Sequence, residues 1–174
     1  VLQKHKEAMI SAGHISDLHI DLSEKTFLKI SRFIKAINEL SLNSQYRSWI
    51  QKNNPSANSF HPSNRSVLMG FDFHLTDTGE PRLIEINTNA AFALLLDVLY
   101  QAHGLPLVGA QDFFSSLKNS FMNEAALSHQ KVEVASIIYE NVEKQTYYFE
   151  FLMYKTLFEK WGWKTLLDSP ENFS

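Results

Sequence analysis

The chain has 174 residues, 44% of them hydrophobic, with thirteen Phe and a formal charge of −3. That length and aromatic content suit one compact unit, or one domain plus part of another. The lack of a basic surplus argues against nucleic-acid binding by bulk charge, the absence of cysteine excludes disulfides and zinc–thiolate sites, and no apolar run approaches the roughly 18–20 residues of a membrane span.

Near the start, Ile15-Ser16-Asp17-Leu18-His19-Ile20-Asp21 resembles the first metal-binding motif of calcineurin-like metallophosphoesterases. There an Asp-x-His at a strand end serves a two-metal centre. The resemblance implies Asp17 and His19 as ligands. It is local only. The upstream KEAMISAGH is no apolar strand, and the later Gly-Asp-x-x-Asp and Gly-Asn-His motifs do not occur. The simpler reading is a surface turn leading into a helix.

Ser23 to Ile50 is the clearest helical region. Ser23 suits an N-cap and Glu24 suits the first turn. Phe27, Ile30, Phe33, Ile34, Ile37 and Leu40 form an apolar stripe at helical spacing, read as core. A break is expected near Leu42-Asn43-Ser44. Gln51 to Ser66 is polar and carries Pro55 and Pro62, so it reads as a loop. His61 and Arg65 in that loop are candidates to face a phosphate, against the plainer reading of a solvated loop.

Val67 to Asn89, VLMGFDFHLTDTGEPRLIEINTN, reads as a β-hairpin. In the first arm Met69, Phe71, Phe73 and Leu75 alternate with Gly70, Asp72 and His74. In the second, Ile84 and Ile86 share one face, and Leu83, Glu85 and Asn87 share the other. Thr76 to Pro81 supplies the turn. Pairing Leu75 with Arg82, Phe73 with Ile84 and Phe71 with Ile86 makes one face wholly apolar. The same register sets Asp72 opposite Glu85 and Gly70 opposite Asn87. Directly opposed side chains have Cβ atoms about 5 Å apart, and like charges there are destabilising. A divalent cation relieves that cost, and hard cations such as Mg²⁺ take carboxylate and amide oxygens. Asp72, Glu85 and Asn87 are therefore the candidate metal ligands, with Gly70 leaving room above them. The plainer reading is the wet face of an amphipathic hairpin. His74 shares that face.

Asn87, Thr88 or Asn89 is expected to cap a helix from Ala90 to His103, ended by Gly104 and Pro106. Its N-terminus, beside the hairpin carboxylates, could help bind an anionic group. A further helix is expected over Asp112 to Ser128, with Asp112 as cap and Phe113, Leu117 and Phe121 as core. Residues 131–174 read as a βαβ unit. Its parts are a buried parallel strand over Val134 to Tyr139, a helix over Glu143 to Lys160, a stop at Gly162, and a strand over Trp163 to Leu167.

GFDF, a Gly/Pro turn, LIEINTN and the apolar run ALLLDVLYQ together resemble the ATP-grasp ligases. They are most similar to the glutathionylspermidine-synthase-like, circularly permuted members. The βαβ segment is similar to the Rossmann-like domain of the same proteins. The resemblance covers about half the chain. It implies that Asp72, Glu85 and Asn87 bind Mg²⁺ holding the phosphates of ATP. It further implies amide formation between a small-molecule carboxylate and an amine by way of an acyl phosphate. The chain departs from the family at Gly70, where the synthases commonly carry Arg, and at Ala91-Phe92 after the Glu-x-Asn motif.

The expected fold class is α/β (α+β). N-terminal helices and an ATP-grasp-like hairpin fill residues 1–130, and a Rossmann-like βαβ domain begins at 131. The chain starts without Met and stops after a strand, so a portion of a longer cytoplasmic ligase is expected. The resemblance implies that the lysines and adenine pocket such a ligase also needs lie beyond Ser174. The alternative is a non-catalytic binding or scaffold module that keeps the ligase fold. Catalytic residues, the identity of the substrates and the oligomeric state stay open.

Overall fold

The computed structural model describes residues 21–54, 66–88, 90–105, 112–127, 129 and 131–172. The fold is α+β, with five α-helices, one antiparallel strand pair and one parallel strand pair among these residues. The chain divides into two compact units, Leu18–Asn89 and Val1–Asp17 with Ala90–Ser174. No helix among the described residues is long and apolar enough to cross a membrane.

The Leu18–Asn89 unit holds α1 (Glu24–Leu42), α2 (Ser44–Asn53), β1 (Gly70–Leu75) and β2 (Pro81–Asn87). Ser23 caps α1 as expected, its hydroxyl accepting the N–H of Thr26 at 3.1 Å. Asn43 makes the break. Its N–H closes α1 on Leu40, and its side-chain oxygen accepts the Tyr46 N–H at 3.0 Å to start α2. The α1 stripe is less buried than the sequence implies. No described residue of this unit is fully buried, and Phe27, Phe33 and Leu40 stay exposed. The reason is a thin partner. A two-stranded hairpin offers one narrow apolar face, met edge-on where the Phe33 and Phe73 rings approach at 5.9 Å.

The Ala90–Ser174 part holds α3 (Ala93–Ala102), α4 (Phe113–Ala126), β3 (Val134–Ile138), α5 (Tyr148–Lys160) and β4 (Lys164–Asp168). Here lie all the buried apolar side chains among the described residues, including Leu94, Leu95, Leu117, Met153, Phe158 and Trp163. The centre is aromatic. Phe121 of α4 meets Tyr154, Phe158 and Trp161, and Phe158 also meets Trp163. Edge-to-face and tilted pairs of this kind contribute beyond the area they bury. Asp112 caps α4 through the Ser115 N–H, as expected.

The βαβ unit forms, with β3 and β4 parallel and Val134 opposite Lys164 through Ile138 opposite Asp168. Its helix starts later than the spacing predicts. Asn141 takes a left-handed conformation, and the Gln145 amide donates to the Glu140 carbonyl at 2.7 Å. These hold Val142–Lys144 in a separate 3₁₀ turn before α5. The α5 C-terminus is a Schellman motif. Gly162, at φ 92, lets the Trp163 N–H return to the Phe158 carbonyl and the Gly162 N–H to Glu159, both at 3.0 Å. The accompanying contact is Trp163 on Phe158, at 5.4 Å. β3 is not buried on both faces. Ala135 and Ile137 turn inward, while Val134 and Ile138 are exposed.

Candidate functional site

The hairpin places the predicted residues on one face, by a route the sequence did not show. Gly70 pairs with Asn87, Phe71 with Ile86 and Asp72 with Glu85, as expected. Beyond Asp72 the register shifts by one, so Phe73 pairs with Leu83, His74 with Arg82 and Leu75 with Pro81. Phe73 is therefore not opposite Ile84, nor Leu75 opposite Arg82. Ile84 is the extra residue of a β-bulge and is 66% exposed.

Two local demands conflict and the bulge reconciles them. The turn closes tightly, with the Thr76 N–H on the Glu80 carbonyl at 3.0 Å and the Gly79 N–H on Thr76 at 2.8 Å. Gly79 sits at φ 73, which a residue without Cβ tolerates. This closure sets Leu75 against Pro81. Keeping Phe71 and Ile86 on the inner face needs the other register. One unpaired residue absorbs the difference. As a result Leu83, read as outward, joins Phe71, Phe73, Leu75 and Ile86 on the half-buried face, and Ile84 leaves it.

The outer face carries Asp72, His74, Arg82, Glu85 and Asn87, all exposed. The Asn87 amide donates to Glu85 Oε1 at 3.0 Å, leaving its own oxygen free to accept. Neither Asp72 nor Glu85 has an ion-pair partner among the described residues. Two like charges thus stand opposed across the ladder without a neutralising side chain.

The donor set suits a hard cation that keeps other ligands. Mg²⁺ in nucleotide sites takes one or two carboxylates, with water and phosphate completing its octahedron. Asp72, Glu85 and the Asn87 oxygen fit that role. They do not make a closed cage, and no group of three or more His, Cys, Asp or Glu side chains gathers for a metal among the described residues.

The expected anion site at the next helix is closed. α3 begins at Ala93, and its N-cap is Phe92, at φ 83 with no side-chain cap bond, in place of Asn87 or Thr88. Glu150 of α5 fills the N-terminus. Its carboxylate accepts the Leu94 N–H at 2.8 Å and the Phe92 N–H as well. The side chain is fully buried. Burial pushes the Glu150 carboxyl above the ordinary range, and the N–H groups of Phe92, Leu94 and Leu95 pull it back. The free helix end therefore has its own internal anion. The signal in the sequence was a lone Glu inside the aromatic run Tyr147 to Tyr154, since a buried charge must find partners.

Asp17, His19, His61, Arg65 and Asn89 lie outside the described residues. No protein-family model, curated protein or solved structure matches the chain.

Proposed function

We propose that this chain is a portion of an ATP-dependent carboxylate–amine ligase of the ATP-grasp kind, and that Asp72, Glu85 and Asn87 hold the Mg²⁺ of Mg-ATP. The observation that carries the reading is the pairing of Asp72 with Glu85, kept in register by a bulge and left without a neutralising side chain. When bound, the metal would neutralise charge on the phosphates during phosphoryl transfer. In the overall reaction the substrate carboxylate takes the terminal phosphoryl group of ATP and ADP leaves. The amine then attacks the acyl phosphate, phosphate leaves, and an amide forms. The part of these residues is to hold the metal from one strand pair. A cytoplasmic setting, with its ATP, is part of the proposal.

Paramagnetic Mn²⁺ tests the site. Mn²⁺ at low concentration should broaden the amide resonances of Asp72, Glu85 and Asn87 first, and excess Mg²⁺ should reverse this. Broadening spread evenly over all acidic residues would sink the assignment. In the complete protein Glu85→Ala should abolish Mg-ATP turnover with the fold intact.

A second reading is a non-catalytic binding or scaffold module that kept the ligase fold. Glu150 favours it, because the helix end closest in sequence to the metal motif already holds an anion. Mg-ATP binding by the complete protein without turnover would select this reading.

A further inference from the structure

The cationic side chains of α1 form a feature separate from the hairpin carboxylates. Lys25, Lys29 and Arg32 follow one another at i, i+4 and i+7, so they share a face. At 1.5 Å of rise per residue the stripe is about 10 Å long. Lys29 pairs with Glu80 beside the hairpin turn, where Thr26 also donates to the Gly79 carbonyl at 3.4 Å. Lys29, first through its hydrogen bond and then its charge, holds the Glu80 carboxyl below the usual range, with Lys25 and Arg82 adding to the effect. Three cations therefore act on one carboxylate. Arg32 has no ion-pair partner among the described residues. Glu24, Lys25, Leu28, Lys29 and Arg32, all of α1, border an open, shallow groove of about 430 Å³ along that one helix face. Leu28 is exposed and gives the groove an apolar patch between the charges.

We propose that this groove binds a small multivalent oxyanion. The Arg32 guanidinium offers a bidentate fork to a phosphate or carboxylate, and Lys25 and Lys29 act as point charges beside it. Glu80 on Lys29 is an internal example of the same recognition. This site is independent of Asp72 and Glu85, which stand on the outer face of the hairpin, away from the face that meets Phe33.

Calorimetric titration of the full chain with tripolyphosphate and with citrate, in EDTA at low salt, tests the proposal. Saturable binding at one site is expected. Lys25→Gln with Arg32→Gln should weaken it about tenfold or more. Lys35→Gln with Lys52→Gln, the same charge change outside the groove, should leave it nearly unchanged. Glu80→Gln should tighten binding by freeing Lys29, and Glu39→Gln should not. The tighter of the two probes identifies phosphate or carboxylate as the preferred group. Equal weakening by the two double variants, or no saturation, would overturn the site. Asp72→Asn and Glu85→Gln should have no effect, so failure here is distinct from failure of the ligase reading.

Discussion

Glu150 and Leu94 lie 56 residues apart, yet the Glu150 carboxylate accepts the Leu94 N–H at 2.8 Å. One buried side chain of α5 thereby satisfies the buried N-terminus of α3. Tyr154, one turn further along α5, is also buried, and burial followed by the charge of Glu150 raises its phenol.

Removing that cap should cost stability in proportion to the N–H groups left unpaired. Glu150→Ala should destabilise the chain by about 1–3 kcal/mol, read from urea unfolding. The pH dependence has a definite sign. The folded carboxyl has a raised pKa, so the native state keeps a proton that the unfolded state has lost. This contribution is full below the ordinary carboxylate value and fades as pH rises through the raised one. The wild-type advantage over Glu150→Gln should shrink across that window, with the same measurement repeated from acid to neutral pH.

The hairpin carboxylates should oppose folding when no cation is present. Asp72→Asn in EDTA is expected to raise stability by about 0.2–1 kcal/mol through loss of a cross-strand repulsion. Adding Mg²⁺ should stabilise the wild type more than the variant. Equal melting temperatures for both proteins, with and without Mg²⁺, would count against cation binding.

The bulge makes a contrast between neighbours. Ile84→Thr should change stability by less than about 0.5 kcal/mol, as at other exposed positions. Ile86→Thr should cost more, because Ile86 lies on the half-buried face beside Phe71. A regular ladder would remove the contrast, since Ile84 would then face Phe73 as Ile86 faces Phe71. Parallel thermal melts of the two variants decide it.

Gly162 closes α5 in a left-handed conformation with open space around it. A Cβ there meets no neighbour, so Gly162→Ala isolates the backbone cost, expected to be about 1–2 kcal/mol. Asn at the same position should recover part of the loss, because it tolerates this conformation better than Ala. Denaturant midpoints of the three proteins give the comparison.

Local signals were legible in the chain itself. Ser23, Asn43 and Asp112 act where a short polar side chain before an apolar run must act, because capping involves only neighbours within three residues. The alternation in residues 70–75 and 83–87, with the turn formers between them, was enough to oppose Asp72 and Glu85. Gly162 marked the end of α5 for the same local reason. What depended on tertiary structure was every outcome in which distant demands compete. The turn closure and the apolar face asked for different registers, and only the bulge at Ile84 satisfies both. The α3 N-terminus had no local polar cap, and Glu150 reached it from another helix because a buried carboxylate and unpaired N–H groups each cost free energy alone. The α1 stripe had the periodicity of a core helix, but burial depends on the area of the partner surface, and a two-stranded hairpin covers only part of that stripe.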